Sequence, residues 1–320
     1  MTKPWCSDQL EDAIQAYDHY LQVEKRFAPS TIKPLLRYLS CFLRWMASKD
    51  YQHGTYQRVV AFAQHLHDAG VSVRTVNVYL LAIKHYYTMR GHPNNPAEGF
   101  QVKGVTKHII SHLLSEQALT DLYEKYPLSN LRRQRDQTIT GLLVFQALSR
   151  EELDRLHIGD IHLKRGVIHI RSGQSTYHSS GLNERIIPLQ SQQILDLQGY
   201  ITQTRRQIIA QLCEPKHGNK GSDIGLIKES DPQLFIGMNG SRSMKGSLGY
   251  LVKDLKKINP SVLNPRQLRS SRIALWIQQH GIRQAQYLAG HNNIKSTIRY
   301  QQDHIKALQH AILSYHPLNK

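Results

Sequence analysis

"NPRQLRSSRIALW", residues 264–276, puts Arg266, Arg269 and Arg272 three apart on what reads as the opening of a helix. Residues three apart on a helix are neighbours, and like charges there cost a few tenths of a kcal/mol per pair unless an anion meets them. Asn264 is a preferred N-cap and Pro265 a preferred first helical residue, so the helix is expected to start at Pro265 with its free N–H groups facing outward. That end already attracts anions, and arginines placed there make sense if a phosphate or carboxylate is the occupant. The competing reading is a solvated basic face paired with carboxylates elsewhere.

The stretch that follows, "HGIRQAQYLAGHNNIKSTIRYQQ" (280–302), sharpens the choice. Gly290 reads as a helix C-cap with His291 behind it, and a short helix is expected from Ser296 carrying Tyr300. With the turn between them, His291, Tyr300 and the arginines can face one cavity. Composition points the same way. Lys and Arg number 41 against 24 Asp and Glu, for a formal charge of +17 over 320 residues. Such an excess suits nucleic acid, or less often an anionic membrane surface. No apolar run approaches the ~18 residues of a membrane span, and the N-terminus lacks the pattern of a secretory signal. A cytoplasmic protein, associated with the nucleoid, is expected. Three cysteines, Cys6, Cys41 and Cys213, are too few and too scattered for a disulfide framework or a cysteine zinc site. His65 and His67 are two apart, poor geometry for a shared metal on a helix.

Working back along the chain, residues 1–100 read as a four-helix bundle: "LEDAIQAYDHYLQVE", "TIKPLLRYLSCFLRWMASK" with a cap at Pro29 and Ser30, "TYQRVVAFAQHLHDAG" ending at Gly70, and "SVRTVNVYLLAIKHYYTMRG" from Ser72 to Gly91. Residues 101–112 read as a linker, and 113–320 as a second domain. There, helices at "SEQALTDLYEKY", "RDQTITGLLVFQAL" and "EELDRL" give way to short strands in "DIHLKRGVIHIRS" and "NERIIPLQ", joined by a hairpin loop near 171–183. Helices return at "SQQILDLQGYITQTRRQIIAQL". Residues 214–246, rich in Gly, Ser and Lys, read as a surface excursion. The expected class is mostly α with a small β-sheet (α+β).

On these residues the chain resembles the tyrosine recombinases, or phage-type integrases. Their C-terminal boxes run His-x-x-Arg, then Leu-Gly-His, then a Tyr nine residues beyond that His. The matches are Arg269, the "LAGH" ending in His291, and Tyr300, with Arg266 where the first His usually stands. "SVRTVNVYLLAIKHYYTMRGHPNNPAEGF" is similar to the last helix and Asn-Pro-Ala exit of the family's core-binding domain. The resemblance implies an N-terminal four-helix core-binding domain, a catalytic domain, and an enzyme that cuts and rejoins double-stranded DNA through a 3′-phosphotyrosyl link, in integration or excision for a mobile element. It implies Tyr300 as nucleophile, Arg269 and Arg266 as a phosphate clamp and His291 as a hydrogen-bond donor or proton carrier, with no cofactor and no metal. It further implies a homotetramer on DNA, built by exchange of an amphipathic tail helix in "DHIKALQHAILSYHPLNK" (303–320), with accessory DNA-bending proteins as further partners.

The chain departs from the pattern in box one. The family's Gly-Leu-Arg-x-x-Glu-Leu is here "ALSREEL" (147–153), which sets Ser149 at the arginine position and Arg150 one residue late, a turn of about 100°. Arg150 is the expected replacement and Arg171 the alternative. The hairpin lysine is missing too: "RSGQSTYHSSGLNER" (171–185) has no Lys, Gln174 or Gly173 falls nearest its place, and His178 is a candidate acid. Two other readings fit these gaps: a catalytically impaired DNA-binding pseudo-recombinase that bridges sites, and an enzyme like a type IB topoisomerase or hairpin telomere resolvase. RNA binding is disfavoured, because no aromatic-rich strand motif for base stacking appears.

Overall fold

The computed structural model describes residues 7–104, 112–172, 184–213 and 231–301. The chain divides into two compact units, Met1–His108 and Ile109–Lys320. The hairpin tip at 173–183, residues 105–111 of the expected linker, residues 214–230 of the expected surface excursion and the tail at 303–320 lie outside the described residues. Within the rest of that excursion, 231–246, Leu234, Phe235, Ile236 and Met244 are buried, so this part belongs to the core and not to the surface.

The first unit holds α1 (Ser7–Val23), α2 (Pro29–Ser48), α3 (Tyr56–Asp68) and α4 (Val73–Met89). In α2, Ile32, Leu35, Leu39, Phe42, Leu43 and Met46 are buried at intervals of three and four, the spacing that places side chains on one helical face. Each fully buried side chain of this size contributes about 1.5–3 kcal/mol. The start of α2 differs from expectation. Ala28 is its N-cap, without a side-chain hydrogen bond, and Pro29 takes the first turn, where its missing N–H costs nothing. Thr55 and Ser72 cap α3 and α4 through their side chains. The chain leaving α4 is held along it by two asparagines. Asn95 Nδ2 donates to the Lys84 carbonyl at 2.8 Å, and Asn77 both donates to the Val102 carbonyl (3.0 Å) and accepts its N–H (2.9 Å).

The second unit contains α5 (Glu116–Glu124), α6 (Leu131–Val144), α7 (Arg150–Arg155), a three-stranded antiparallel sheet, α8 (Ser191–Gly199), α9 (Arg205–Cys213), α10 (Lys245–Ile258), α11 (Pro265–Ala289) and α12 (Lys295–Ile298). A π-helical turn, Tyr200–Thr204, joins α8 to α9. The sheet order is β1 (Ile161–His162), β2 (Val167–Ile170), β3 (Arg185–Pro188). The segment read as one strand is therefore two, because Leu163–Arg165 form a 3-10 turn and Gly166 reverses the chain at φ 63°. Ile168 pairs with Ile187, and Ile170 pairs with Arg185. One sheet face packs into a core that includes Leu119, Ile139, Ile168, Phe235, Leu251 and Leu268.

The arginine-bearing helix α11 begins as the sequence predicts, with Asn264 Oδ1 accepting the Gln267 N–H at 2.9 Å and Pro265 in the first turn. Its course breaks at Gly281, whose φ 79° and ψ 168° belong to a region open essentially to glycine alone. The break turns the final segment, which ends at Gly290 in the left-handed conformation (φ 66°). Tyr300 lies just past α12, in a turn whose N–H bonds back to the Thr297 carbonyl at 3.0 Å, and so is not on the short helix expected to carry it.

Candidate active site

The three arginines of 264–276 do not share one face. Each step of three residues falls about 60° short of a full helical turn, so two steps rotate the stripe by about 120°. Arg266 is consequently exposed, Arg269 half-buried and Arg272 buried. Arg272 Nε donates to the Val144 carbonyl at 2.6 Å, Nη1 reaches Glu116 Oε1 at 3.3 Å, and the guanidinium lies over the Phe145 ring. The expectation of a stripe of three cations facing an anion is corrected to two: Arg272 holds helices together.

Arg269 is locked on three sides. Nη2 donates to the Ala289 carbonyl at 2.7 Å, and Nη1 donates to Glu152 Oε2 at 3.0 Å and to the Ala147 carbonyl. Ala147 sits at φ 51°, a left-handed conformation that costs a residue with a Cβ about 1–2 kcal/mol. That backbone turn belongs to the peptide whose carbonyl meets Arg269. The carboxylate of Glu152 is the hub. Its Oε1 accepts from Arg185 Nη1 at 2.7 Å, and its Oε2 also accepts the Ser149 N–H at 2.7 Å. Burial pushes the Glu152 carboxyl up, but the Arg185 and Arg269 guanidinia and the Ser149 N–H more than offset it and bring it to about 2.

Arg185 is a site residue that sequence reasoning missed. A cation in a strand reads as solvent-facing, yet Arg185 alternates with buried Ile187 and is itself 2 % exposed. Alternation at a period of two from Ile187 was the available signal. Its Nε donates to the Leu288 carbonyl at 2.8 Å, which ties the sheet to the turn before His291. A Cβ at Gly290 would stand 2.5 Å from Arg185 Nη1, so that turn needs glycine for space as well as for its φ.

His291 and Tyr300 come together with their rings stacked, centroids 6.0 Å apart at 12°. His291 Nδ1 is 2.9 Å from the hydroxyl of buried Thr297, whose carbonyl in turn receives the Tyr300 N–H. Burial lowers the His291 imidazole to about 4, and the Arg269, Arg185 and Arg299 cations add to the effect against Glu152. At neutral pH the ring is uncharged. Burial and the neighbouring Arg185 also lower Arg269, while Glu152 and Tyr300 pull it the other way, which places the phenol within electrostatic reach of that guanidinium.

In box one, Ser149 is the N-cap of α7: its hydroxyl accepts the Glu152 N–H while Glu152 accepts the Ser149 N–H, a reciprocal pair. Arg150 follows, exposed and 2.7 Å from Glu151. A cavity of about 710 Å3 is walled by Ser149, Arg150, Lys245, Asn264, Arg266 and Arg269 among others, with Leu148, Leu248 and Val252 contributing apolar surface. Arg150, Arg266 and Arg269 thus share one cavity, and His291 and Tyr300 join the cluster through Arg269. Arg171 stands elsewhere, 2.9 Å from Asp160, on a second cavity of about 470 Å3 that shares only Glu152 with the residues above. Among the described residues no group of three or more His, Cys, Asp or Glu is arranged to hold a metal ion, and no helix is long and apolar enough to cross a membrane.

Two family models match the chain: the phage integrase N-terminal SAM-like domain over residues 14–90, and the phage integrase family over residues 112–306. The chain belongs to the phage integrase family. It is a site-specific recombinase of the tyrosine class. Tyrosine recombinase XerC of Bacillus subtilis is 23% identical over 322 residues, covering 97% of this chain and 98% of that one. Tyrosine recombinase XerA of Pyrococcus horikoshii is 26% identical over 307 residues, covering 94% and 92%. Among solved structures, the Tn1549 transposon integrase with transposon right end DNA superimposes at a TM-score of 0.64 with 17% identity over 93% of this chain and 99% of that one. XerH bound to its difH substrate also gives 0.64, at 14% identity over 94% and 87%. These integrase-family structures share the fold: a helical N-terminal domain followed by a mixed catalytic domain.

Proposed function

We propose that this integrase cuts one strand of duplex DNA by attack of the Tyr300 hydroxyl on a phosphodiester, forming a 3′-phosphotyrosyl link and freeing a 5′-hydroxyl that later attacks a partner strand. The observation that carries the reading is the immobilised Arg269, bonded to Glu152 and to the Ala289 and Ala147 carbonyls beside the His291–Tyr300 pair. A guanidinium fixed before substrate arrives offers phosphoryl oxygens two donors without reorganisation, which is how a phosphorane-like transition state is stabilised. Arg266 provides a second cation at the same wall. Neutral His291 serves through Nε2 as a hydrogen-bond partner of a non-bridging oxygen, its Nδ1 being engaged by Thr297. Arg150 takes over the role of the missing box-one arginine, because it shares the cavity of Arg266 and Arg269 and Arg171 does not. The duplex substrate is supported by the relatives described as DNA complexes, the Tn1549 integrase and XerH.

We read the working form as a homotetramer on DNA in the cytoplasmic nucleoid, linked through residues 303–320 and assisted by DNA-bending proteins, serving a mobile element. Covalent trapping tests the chemistry. Nicked suicide duplexes drawn from DNA flanking the gene should yield a protein–DNA adduct on a denaturing gel, absent for Tyr300→Phe. Sequence-specific binding without any adduct would overturn the reading. Sedimentation of the full chain with and without residues 303–320 on the trapped site tests the assembly.

A further inference from the structure

The departing 5′-oxygen is an alkoxide unless it is protonated as the P–O bond breaks, so the reaction needs an acid. The groups already described are poorly suited. Guanidinia hold their protons too tightly to donate them. His291 is lowered to about 4 and is neutral at working pH. The cavity wall contains one other proton-bearing cation, Lys245.

Lys245 is the first residue of α10, and its position is built. Met244, directly before it, is fully buried, and its N–H donates to Asp154 Oδ1 of α7 at 2.6 Å. The Asp154 carbonyl is held in turn by Gln233 Nε2 at 3.0 Å. This anchor fixes the start of α10 against α7, and the cavity wall then gathers first-turn residues of three helices: Arg150 of α7, Lys245 of α10 and Arg266 of α11. Four cations face the cavity, with Glu151, paired to Arg150, as its one wall carboxylate. A phosphodiester entering this space lies among the Arg150, Arg266 and Arg269 guanidinia and the Lys245 ammonium.

We infer that Lys245 is a catalytic residue of the integrase reaction, donating a proton from Nζ to the leaving 5′-oxygen of the scissile phosphate. The step balances. The Tyr300 Oη–P bond forms and the phenol proton passes to water; the P–O5′ bond breaks, and the proton from Lys245 Nζ completes the 5′-hydroxyl. In rejoining, the neutral amine takes that proton back. The inference rests on the phosphotyrosine reading above.

The test uses the full chain with paired suicide duplexes, one with the natural 5′-bridging oxygen and one with sulfur at that atom, whose thiolate leaves without needing a proton. Lys245→Ala and Lys245→Arg should each slow adduct formation on the oxygen substrate by about 100-fold or more, and both should return to within about tenfold of wild type on the sulfur substrate. Arg269→Ala should remain slow on both, since its part is charge stabilisation. Lys245→Ala at wild-type rate on oxygen, or equally slow on both substrates, overturns the inference, as does sulfur rescue confined to His178→Ala. Adduct that persists in Tyr300→Phe overturns the underlying reading instead, so the two failures are distinguishable. Circular dichroism of the exposed Lys245 variants checks that they fold.

Discussion

The two units are held together by different physics. The N-terminal bundle is closed by apolar and aromatic packing: Phe42 meets Phe62 edge-on at 5.1 Å, Tyr17 meets Tyr86 at 6.1 Å, and the buried polar and charged residues among those described all lie in the second unit. There Arg135 is 1 % exposed and doubly bonded to Asp136, Arg132 joins Asp136 to Asp254, and Arg185 and Arg269 converge on Glu152. Buried ion networks of this kind are weak sources of net stability, because desolvation offsets the attraction. What they give is geometry. A bundle can tolerate slightly different packings, whereas two guanidinia that share one carboxylate at 2.7 and 3.0 Å are held to a fraction of an ångström.

This contrast can be broken most sharply at Arg269. Arg269→Lys keeps the charge but loses the forked geometry, and cleavage in a suicide-duplex assay should fall about 100- to 1,000-fold. Arg272→Met, one turn further along the same helix, should leave cleavage within about tenfold while lowering the stability read from urea melts by about 1–3 kcal/mol. Equal losses of activity in the two variants would erase the distinction between the arginine that serves the site and the one that braces it.

Stability separates the units next. Arg185→Met nearly preserves volume but leaves Glu152 with one cation, Arg269, and should cost about 3–5 kcal/mol in urea unfolding. Acid should expose the same cluster in two windows. The unfolded His291 binds a proton near its ordinary 6.5 that the folded ring refuses until about 4, so its contribution is present above 6.5 and is lost as pH falls between those values. Glu152, lowered from 4.5 to about 2, contributes above 4.5 and loses that contribution as pH drops toward 2. Melting temperature followed from pH 7 to 3 should fall in both ranges, and His291→Asn should flatten the upper one. The smallest effect belongs to the bundle, where Leu39→Met should cost under about 1.5 kcal/mol and leave cleavage intact.

What the sequence discloses follows the same division. Local signals were legible: Asn264 before Pro265, Gly290 before His291, and helical spacing across α2 and α4 were enough for the fold class and for the neighbourhood of Arg269, His291 and Tyr300. Arg272 misled because spacing of three looks like one face over a single turn and drifts off it over two. Ser149 read only as the place of a lost arginine, although Ser-x-x-Glu is also a helix-start signature, and the Glu152 it engages joins Arg185 and Arg269. Arg185 stayed hidden because its partners, Glu152 and the Leu288 carbonyl, lie far away along the chain, beyond the reach of periodicity.

That distance sets when, in the life of a chain, the arginine network can form. The bonds that fix the arginines span 122 residues from Arg269 to Ala147, 117 from Arg269 to Glu152, and 103 from Arg185 to Leu288. Chains emerge from synthesis N-terminus first, and contacts of such separation form only after both ends are present. A ribosome-bound chain can complete its N-terminal bundle long before Glu152 meets Arg269, and the turn that presents His291 and Tyr300 comes later still. On a nascent chain the network around Arg269 therefore stays unassembled until α11 and the residues behind it have folded back onto the box-one turn.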